Sequence, residues 1–102
     1  MDMNQMMKQA RKMQANLAKA QDEISAMEFS AKAGGGVVEV TVTGDHKVLS
    51  VTIDPEAVDP QDVEMLQDMI VAATNEALRE ADDFSNERLS SLTGGMNMPG
   101  MM

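Results

Sequence analysis

The sequence contains no cysteine, tryptophan or tyrosine and only two phenylalanines. Without cysteine the chain has no disulfide and no thiolate chemistry, which fits a reducing cytoplasm. With so few aromatic rings, stacking on single-stranded nucleic acid is not expected. No apolar run approaches the roughly 20 residues of a membrane span, and polar residues interrupt the N-terminus where a signal peptide would be apolar. We expect a soluble, cytoplasmic protein without a membrane partner.

Bulky apolar side chains are also scarce. The hydrophobic fraction is 43%, but much of it is alanine and methionine, with 12 methionines among 102 residues. A single small domain of this composition buries little apolar area per residue. We therefore expect self-association to complete the core.

The first part of the chain has an apolar pattern with heptad spacing. An uninterrupted alternation of three and four residues without glycine or proline predicts a helix over 3–27. The two positions of this seam are occupied by Met3, Ala10, Leu17 and Ile24, and by Met6, Met13, Ala20 and Met27.

The middle of the chain predicts antiparallel strands. Residues 37–43 and 48–53 alternate with period 2 around the turn 44–47, and the stretch 29–33 is a third candidate strand. In the last strand, the alternation places Leu49, Val51 and Ile53 on one face.

A second amphipathic helix is predicted over 60–92, with Asp59 as its N-cap and Pro60 at its first position. Its apolar seam slips around 82–86, which predicts a kink or a break there. Residues 93–102 are rich in glycine, methionine and proline and are expected to form a flexible tail.

The predicted fold class is α+β: one domain over 1–92, with two long helices and a small antiparallel sheet. A six-residue strand spans only about 20 Å, so each helix overhangs the sheet. The overhanging apolar seams favour a homodimer.

Charge is distributed unevenly along the chain. Residues 1–20 carry four cations against one anion, and the rest carries four cations against 16 anions. A basic helix on an acidic body directs an acidic partner to one place. Composition alone leaves nucleic acid, an anionic membrane and an acidic protein open, and a membrane is disfavoured because the apolar face lacks bulky anchors.

Catalytic patterns are missing from the sequence. His46 has no partnered nucleophile or ligand cluster, the acidic residues lack calcium-loop spacing, and Gly34–Gly36 is not followed by Gly-Lys-Ser/Thr. The methionines are interpreted as core filler and not as copper ligands. We expect no enzymatic activity, no cofactor, no metal and no small-molecule substrate.

Several motifs follow one another along the chain. Besides the Met- and Gln-rich basic helix, they are Gly35-Gly36-Val37-x-Glu39-Val40-x-Val42-x-Gly44, Ile53-Asp54-Pro55, Leu66-x-Asp68-x-Ile70-x-x-Ala73-x-Asn75-x-Ala77, and Gly94-Gly95-Met96 with Pro99-Gly100. In this order they resemble the YbaB/EbfC family of bacterial nucleoid-associated proteins. The resemblance implies a tweezers-like homodimer in the nucleoid, whose projecting helices contact duplex DNA with little sequence preference.

Residue by residue, the resemblance assigns the DNA contacts to six cations: Lys8, Arg11, Lys12, Lys19, Arg79 and Arg88. The last two stand among acidic residues, which weakens their assignment. An alternative function from another class remains open: a dimeric protein-interaction adaptor or chaperone-like module that grips partners between methionine-lined helical arms.

Overall fold

The computed structural model describes residues 2–93. It consists of two long helices and a three-stranded antiparallel sheet, which confirms the predicted α+β fold class. The elements are α1 (Met3–Ala26), β1 (Glu28–Ala33), β2 (Val38–Thr43), β3 (Val48–Ile53) and α2 (Val63–Leu92), with short 3-10 turns at Gly34–Gly36 and Pro55–Ala57.

Helix α1 begins and ends at defined capping residues. The Asp2 carboxylate accepts a hydrogen bond from the Gln5 amide at 2.8 Å, which satisfies one of the free N–H groups of the first turn. Met27 turns the chain to an extended conformation and its amide bonds back to the Ile24 carbonyl at 3.0 Å. At about 1.5 Å per residue, the 24-residue helix is about 36 Å long.

The sheet has the order β1-β2-β3, so β2 is central. Val38, Val40 and Val42 of β2 are fully buried, and their partners in β1 are Ala33, Ala31 and Phe29. Cross-strand partners share a face, so these six residues form the inner surface of the sheet.

A register shift interrupts the pairing of β2 with β3. Thr41 pairs with Ser50 but Val42 pairs with Val48, which leaves Leu49 as an extra, unpaired residue. The expected alternation of Leu49 with Val51 and Ile53 is therefore wrong at Leu49, because the bulge makes Val48 the partner of Val42.

Helix α2 packs on the inner surface of the sheet through alanines. Ala73, Ala77 and Ala81, one turn apart, are all fully buried in one cluster with the three valines of β2. Their small side chains allow the helix backbone to approach the strand closely. Helix α2 packs against β1 and β2 and leaves β3 largely uncovered.

The start of α2 differs from the prediction. The helix begins at Val63, with Asp62 as the N-cap that accepts from the Met65 amide at 3.2 Å. Asp59, the expected cap, instead accepts from the Gln61 amide at 2.9 Å and so forms a separate turn containing Pro60. Two aspartates three residues apart both suit a cap, and the tertiary context selects the second.

The expected kink around 82–86 is also wrong, because α2 continues without interruption from Val63 to Leu92. The seam slips because the helix changes partner. Ala81 still packs on the sheet, whereas Arg88 lies beside Glu23 of α1. The predicted tail 93–102 lies outside the described residues, apart from Thr93.

Gly44, at the end of β2, lies against the end of α1. A Cβ atom at this position would lie 1.9 Å from the Ile24 carbonyl oxygen, a backbone atom that cannot move without shifting the helix. We expect Gly44→Ala to destabilise the fold by about 1–3 kcal/mol, measured by urea denaturation.

Gly35→Ala is the matched control for this prediction. A Cβ atom added at Gly35 would have no other atom within 4 Å, but the residue has a φ of 74°, so the substitution meets only backbone strain of about 1 kcal/mol. If Gly44→Ala lowers the free energy of unfolding no more than Gly35→Ala does, the close packing of α1 on the hairpin is contradicted.

Candidate nucleic-acid interface

Burial along α1 changes from one end of the helix to the other. Ala20 and Ile24, near the sheet, are buried. Towards the N-terminus the same apolar seam is open to solvent, with Met3, Met6 and Met13 exposed by 75%, 57% and 40%. The N-terminal part of α1 therefore projects from the body. We call residues 3–19 the basic arm.

The last turns of α2 support the base of the basic arm. Arg88 lies 3.7 Å from the Glu23 carboxylate, and Leu92 lines a shallow groove together with Met13 and Asn16. The two helices are thus antiparallel, and α2 reaches only the middle of α1 within the described residues. The molecule is accordingly elongated, with extents of 71 × 26 × 15 Å.

Four cations lie on the side of α1 that faces away from its buried seam. At about 100° per residue, their directions differ by about 100–160° from the mean direction of Ala20 and Ile24, so the apolar contacts of α1 leave them in solvent. All four are exposed, and none forms an ion pair with another of residues 2–93. They are Lys8, Arg11, Lys12 and Lys19.

The four cations form an uncompensated positive surface. The span from Lys8 to Lys19 along the helix is about 16 Å, close to the length of five nucleotides of one strand of duplex DNA. Between Asp2 and Asp22 the basic arm has no acidic residue. Such a surface suits a row of phosphates, which accept from ammonium and guanidinium groups.

Arg79 and Arg88 have a different environment. The Arg79 guanidinium donates two hydrogen bonds to Glu76, at 2.7 and 3.2 Å. These hydrogen bonds, together with the charge of Glu76, raise the pKa of Arg79 above its ordinary value. Arg88 pairs with Glu23 and lines a groove with Lys19. The structure thus brings Arg88 to the base of the basic arm, whereas Arg79 is already neutralised by its own helix.

His46 and Asp82 form a contact that no sequence pattern indicates. The Nε2 atom of His46 lies 2.5 Å from the Asp82 carboxylate, and it joins the β2–β3 turn to α2. His46 has a φ of 67°, in the left-handed region. No sequence signal could have found this pair, because 36 residues separate its members.

Metal and membrane sites are missing from the described part of the chain. Among residues 2–93, no group of three histidine, cysteine or acidic side chains is placed to hold a metal ion. Over the same range, no helix is both long enough and apolar enough to cross a membrane.

Comparison with known proteins identifies the family. Residues 1–96 match the model of the YbaB/EbfC DNA-binding family. The chain belongs to the YbaB/EbfC family. This confirms the resemblance that the motifs carried, and the family is described as DNA-binding.

Two relatives in the YbaB/EbfC family match this chain over nearly its whole length. A nucleoid-associated protein of Clostridium novyi (strain NT) is 52% identical over 99% of this chain and 89% of its own. A nucleoid-associated protein of Alkaliphilus metalliredigens is 50% identical over 98% of this chain and 88% of its own.

A solved structure has the same fold as this YbaB/EbfC member. The crystal structure of an uncharacterized protein from Helicobacter pylori matches with a TM-score of 0.75, over 91% of this chain and 98% of that chain. Its sequence identity is 19%, so the match concerns the fold alone.

Proposed function

We propose that this protein is a non-enzymatic nucleoid-associated protein that binds duplex DNA as a homodimer through the outer face of its basic arms. The observation that carries the proposal is the row of four exposed, unpaired cations on a helix that projects from an acidic body. Family membership supports DNA as the partner.

The binding mechanism is electrostatic. Each cation that contacts a phosphate releases condensed counterions, so affinity falls as salt rises. Four cations per chain give a dimer at most eight phosphate contacts, and the slope of log affinity against log salt is no steeper than about −7. The net charge of −12 on residues 21–102 repels DNA from the body and confines contact to the arms.

Sequence preference is expected to be small. Lysine and arginine side chains on an outer helix face reach the phosphate backbone, which carries no direct sequence information. The two phenylalanines offer no stacking surface for single strands, because Phe29 and Phe84 contact each other with ring centroids 5.6 Å apart. Duplex DNA is therefore the favoured substrate, and the nucleoid within the cytoplasm is the location we expect.

The proposed homodimer uses β3. This edge strand has no charged residue, whereas the other edge strand, β1, contains Glu28 and Lys32. An uncharged apolar edge is a template for pairing with a second chain. Val48 and Val51, which share the inner surface of the sheet, are 51% and 43% exposed because α2 does not cover them. A second copy at β3 would bury both the edge and these valines.

A second candidate function is the methionine-lined adaptor. The exposure of Met3, Met6, Met7 and Met13 favours it, because flexible methionine surfaces adapt to several partners. The adaptor predicts that DNA affinity at physiological salt is low and insensitive to the arm cations, so the experiment below separates the two functions.

We expect Lys8→Glu/Lys12→Glu to abolish DNA binding at physiological salt, because it removes two of the four phosphate contacts in each arm and introduces two repulsive charges. The measurement is fluorescence anisotropy with a labelled duplex at several salt concentrations. The affinity of the wild-type protein for the duplex should fall steeply as salt rises. Circular dichroism should show unchanged helicity in the variant.

The matched control is Lys32→Glu/Lys47→Glu, which changes net charge equally but lies on the sheet and its turn. It should retain most of the affinity. Arg79→Gln should change little, because Glu76 already pairs with that guanidinium. An equal loss of DNA affinity in the two lysine double variants would contradict a contact specific to the arm.

We expect Val51→Lys to convert the dimer to a monomer, because it places a charge on the exposed inner face of β3. Analytical ultracentrifugation measures the mass. Val58→Lys makes the same change at a valine that is 49% exposed outside the strands, and it should remain dimeric. A dimeric Val51→Lys protein would exclude β3 as the interface.

A further inference from the structure

An apolar groove of about 460 Å³ lies between the end of β1 and the first turns of α2. Its floor is formed by Gly34, Met65, Met69 and Ala72. A Cβ at residue 34 would lie 2.2 Å from the Met69 sulfur, so a larger residue there would displace the Met69 side chain from the floor. The groove belongs to no site described above.

The rim of this groove is acidic. Asp62, Glu64 and Asp68 line it, and within residues 2–93 none of the three forms an ion pair with a cation. Asp62 is occupied as the cap of α2, whereas Glu64 and Asp68 are one turn apart and exposed. An apolar floor beside unpaired carboxylates suits a ligand that presents apolar side chains next to cations.

The basic arm has this complementary pattern. Met3, Met7 and Arg11 are spaced by four residues and lie in one row along α1, with Lys8 beside them. Met3 is 75% exposed and Met7 is 46% exposed. The row can therefore place two methionines on the floor of a groove and two cations on its rim.

The arm of the same chain cannot reach the groove. Within the described residues, Leu92 of α2 lines a groove with Met13 in the middle of α1, and the acidic groove ends 20 residues earlier, at Ala72. This separation is about 30 Å along α2, and the arm projects in the opposite direction. A matching arm must come from another copy.

We propose that the acidic groove of one molecule binds the tip of the basic arm of a second copy, with Met3 and Met7 on the floor and Lys8 and Arg11 paired with Glu64 and Asp68. The donor and acceptor surfaces differ, so the contact is heterologous and propagates head to tail. The groove lies beside β1 and leaves β3 free. Dimers joined at β3 can therefore also be linked by their arms.

The docking contact does not depend on the proposed function, but the competition between docking and DNA binding rests on it. If the arm also binds phosphates, Lys8 and Arg11 engage either the groove or DNA. Duplex DNA then competes with assembly for the same cations, and higher salt weakens both because both contacts are between opposite charges.

The test uses two complementary charge-reversal variants of the full chain, studied by sedimentation velocity at low salt and high protein concentration. One variant is Glu64→Lys/Asp68→Lys in the groove, and the other is Lys8→Glu/Arg11→Glu in the arm. Wild-type protein should form species larger than the dimer. Each variant alone should lose them, and an equimolar mixture should regain them because each arm then meets a groove of opposite charge.

Two further variants separate docking from general charge effects. Glu80→Lys/Asp83→Lys makes the same charge change on α2 outside the groove and should assemble as the wild type does. Ala72→Phe fills the groove without changing charge and should abolish assembly, in the wild-type background and in the mixture. Thermal unfolding by circular dichroism verifies that both proteins are folded.

Absence of larger species from the wild type, or failure of the mixture to restore them, would overturn the proposal. So would normal assembly of Ala72→Phe. The groove variant retains the complete arm, so its DNA affinity, measured in parallel, shows whether the DNA proposal fails or holds independently of the docking proposal.

Discussion

The contact between the alanines of α2 and the valines of β2 determines how the rest of the molecule is arranged. Ala73, Ala77 and Ala81 recur at four-residue spacing, so they form a flat strip that lies close to the central strand. Because this strip covers β1 and β2 but not β3, one edge of the sheet remains open. Because α2 is 30 residues long, its end extends beyond the sheet and holds α1.

Two surfaces of different chemistry result from this arrangement. The uncovered side of β3 is apolar and uncharged, which suits a permanent contact with a second copy. The basic arm is charged and projecting, which suits a reversible, salt-dependent contact with phosphates. The acidic body carries charge of the same sign as a polyanion, which favours contact at the arm in the proposed function. In the proposed function, β3 and the outer face of the basic arm give dimerisation and DNA binding separate contacts within one domain.

Local patterns in the sequence predicted the elements well. The heptad repeat indicated α1 and the alternating valines indicated the hairpin, because burial acts on each residue of these segments in a regular order. Long-range contacts could not be read in the same way. The continuity of α2 through 82–86, the bulge at Leu49 and the pairing of Arg88 and His46 with carboxylates depend on which elements meet in space. The site assignments themselves stay predictions.

Contact between DNA and the outer face of the basic arm can be observed directly in an NMR titration of isotope-labelled protein with a short duplex. We expect chemical-shift changes for the side chains and amides of Lys8, Arg11, Lys12 and Lys19, with smaller changes at Arg88 and none on the outer face of the sheet. Changes centred on the sheet or on the β2–β3 turn, with the arm unaffected, would show that DNA binds elsewhere on the molecule.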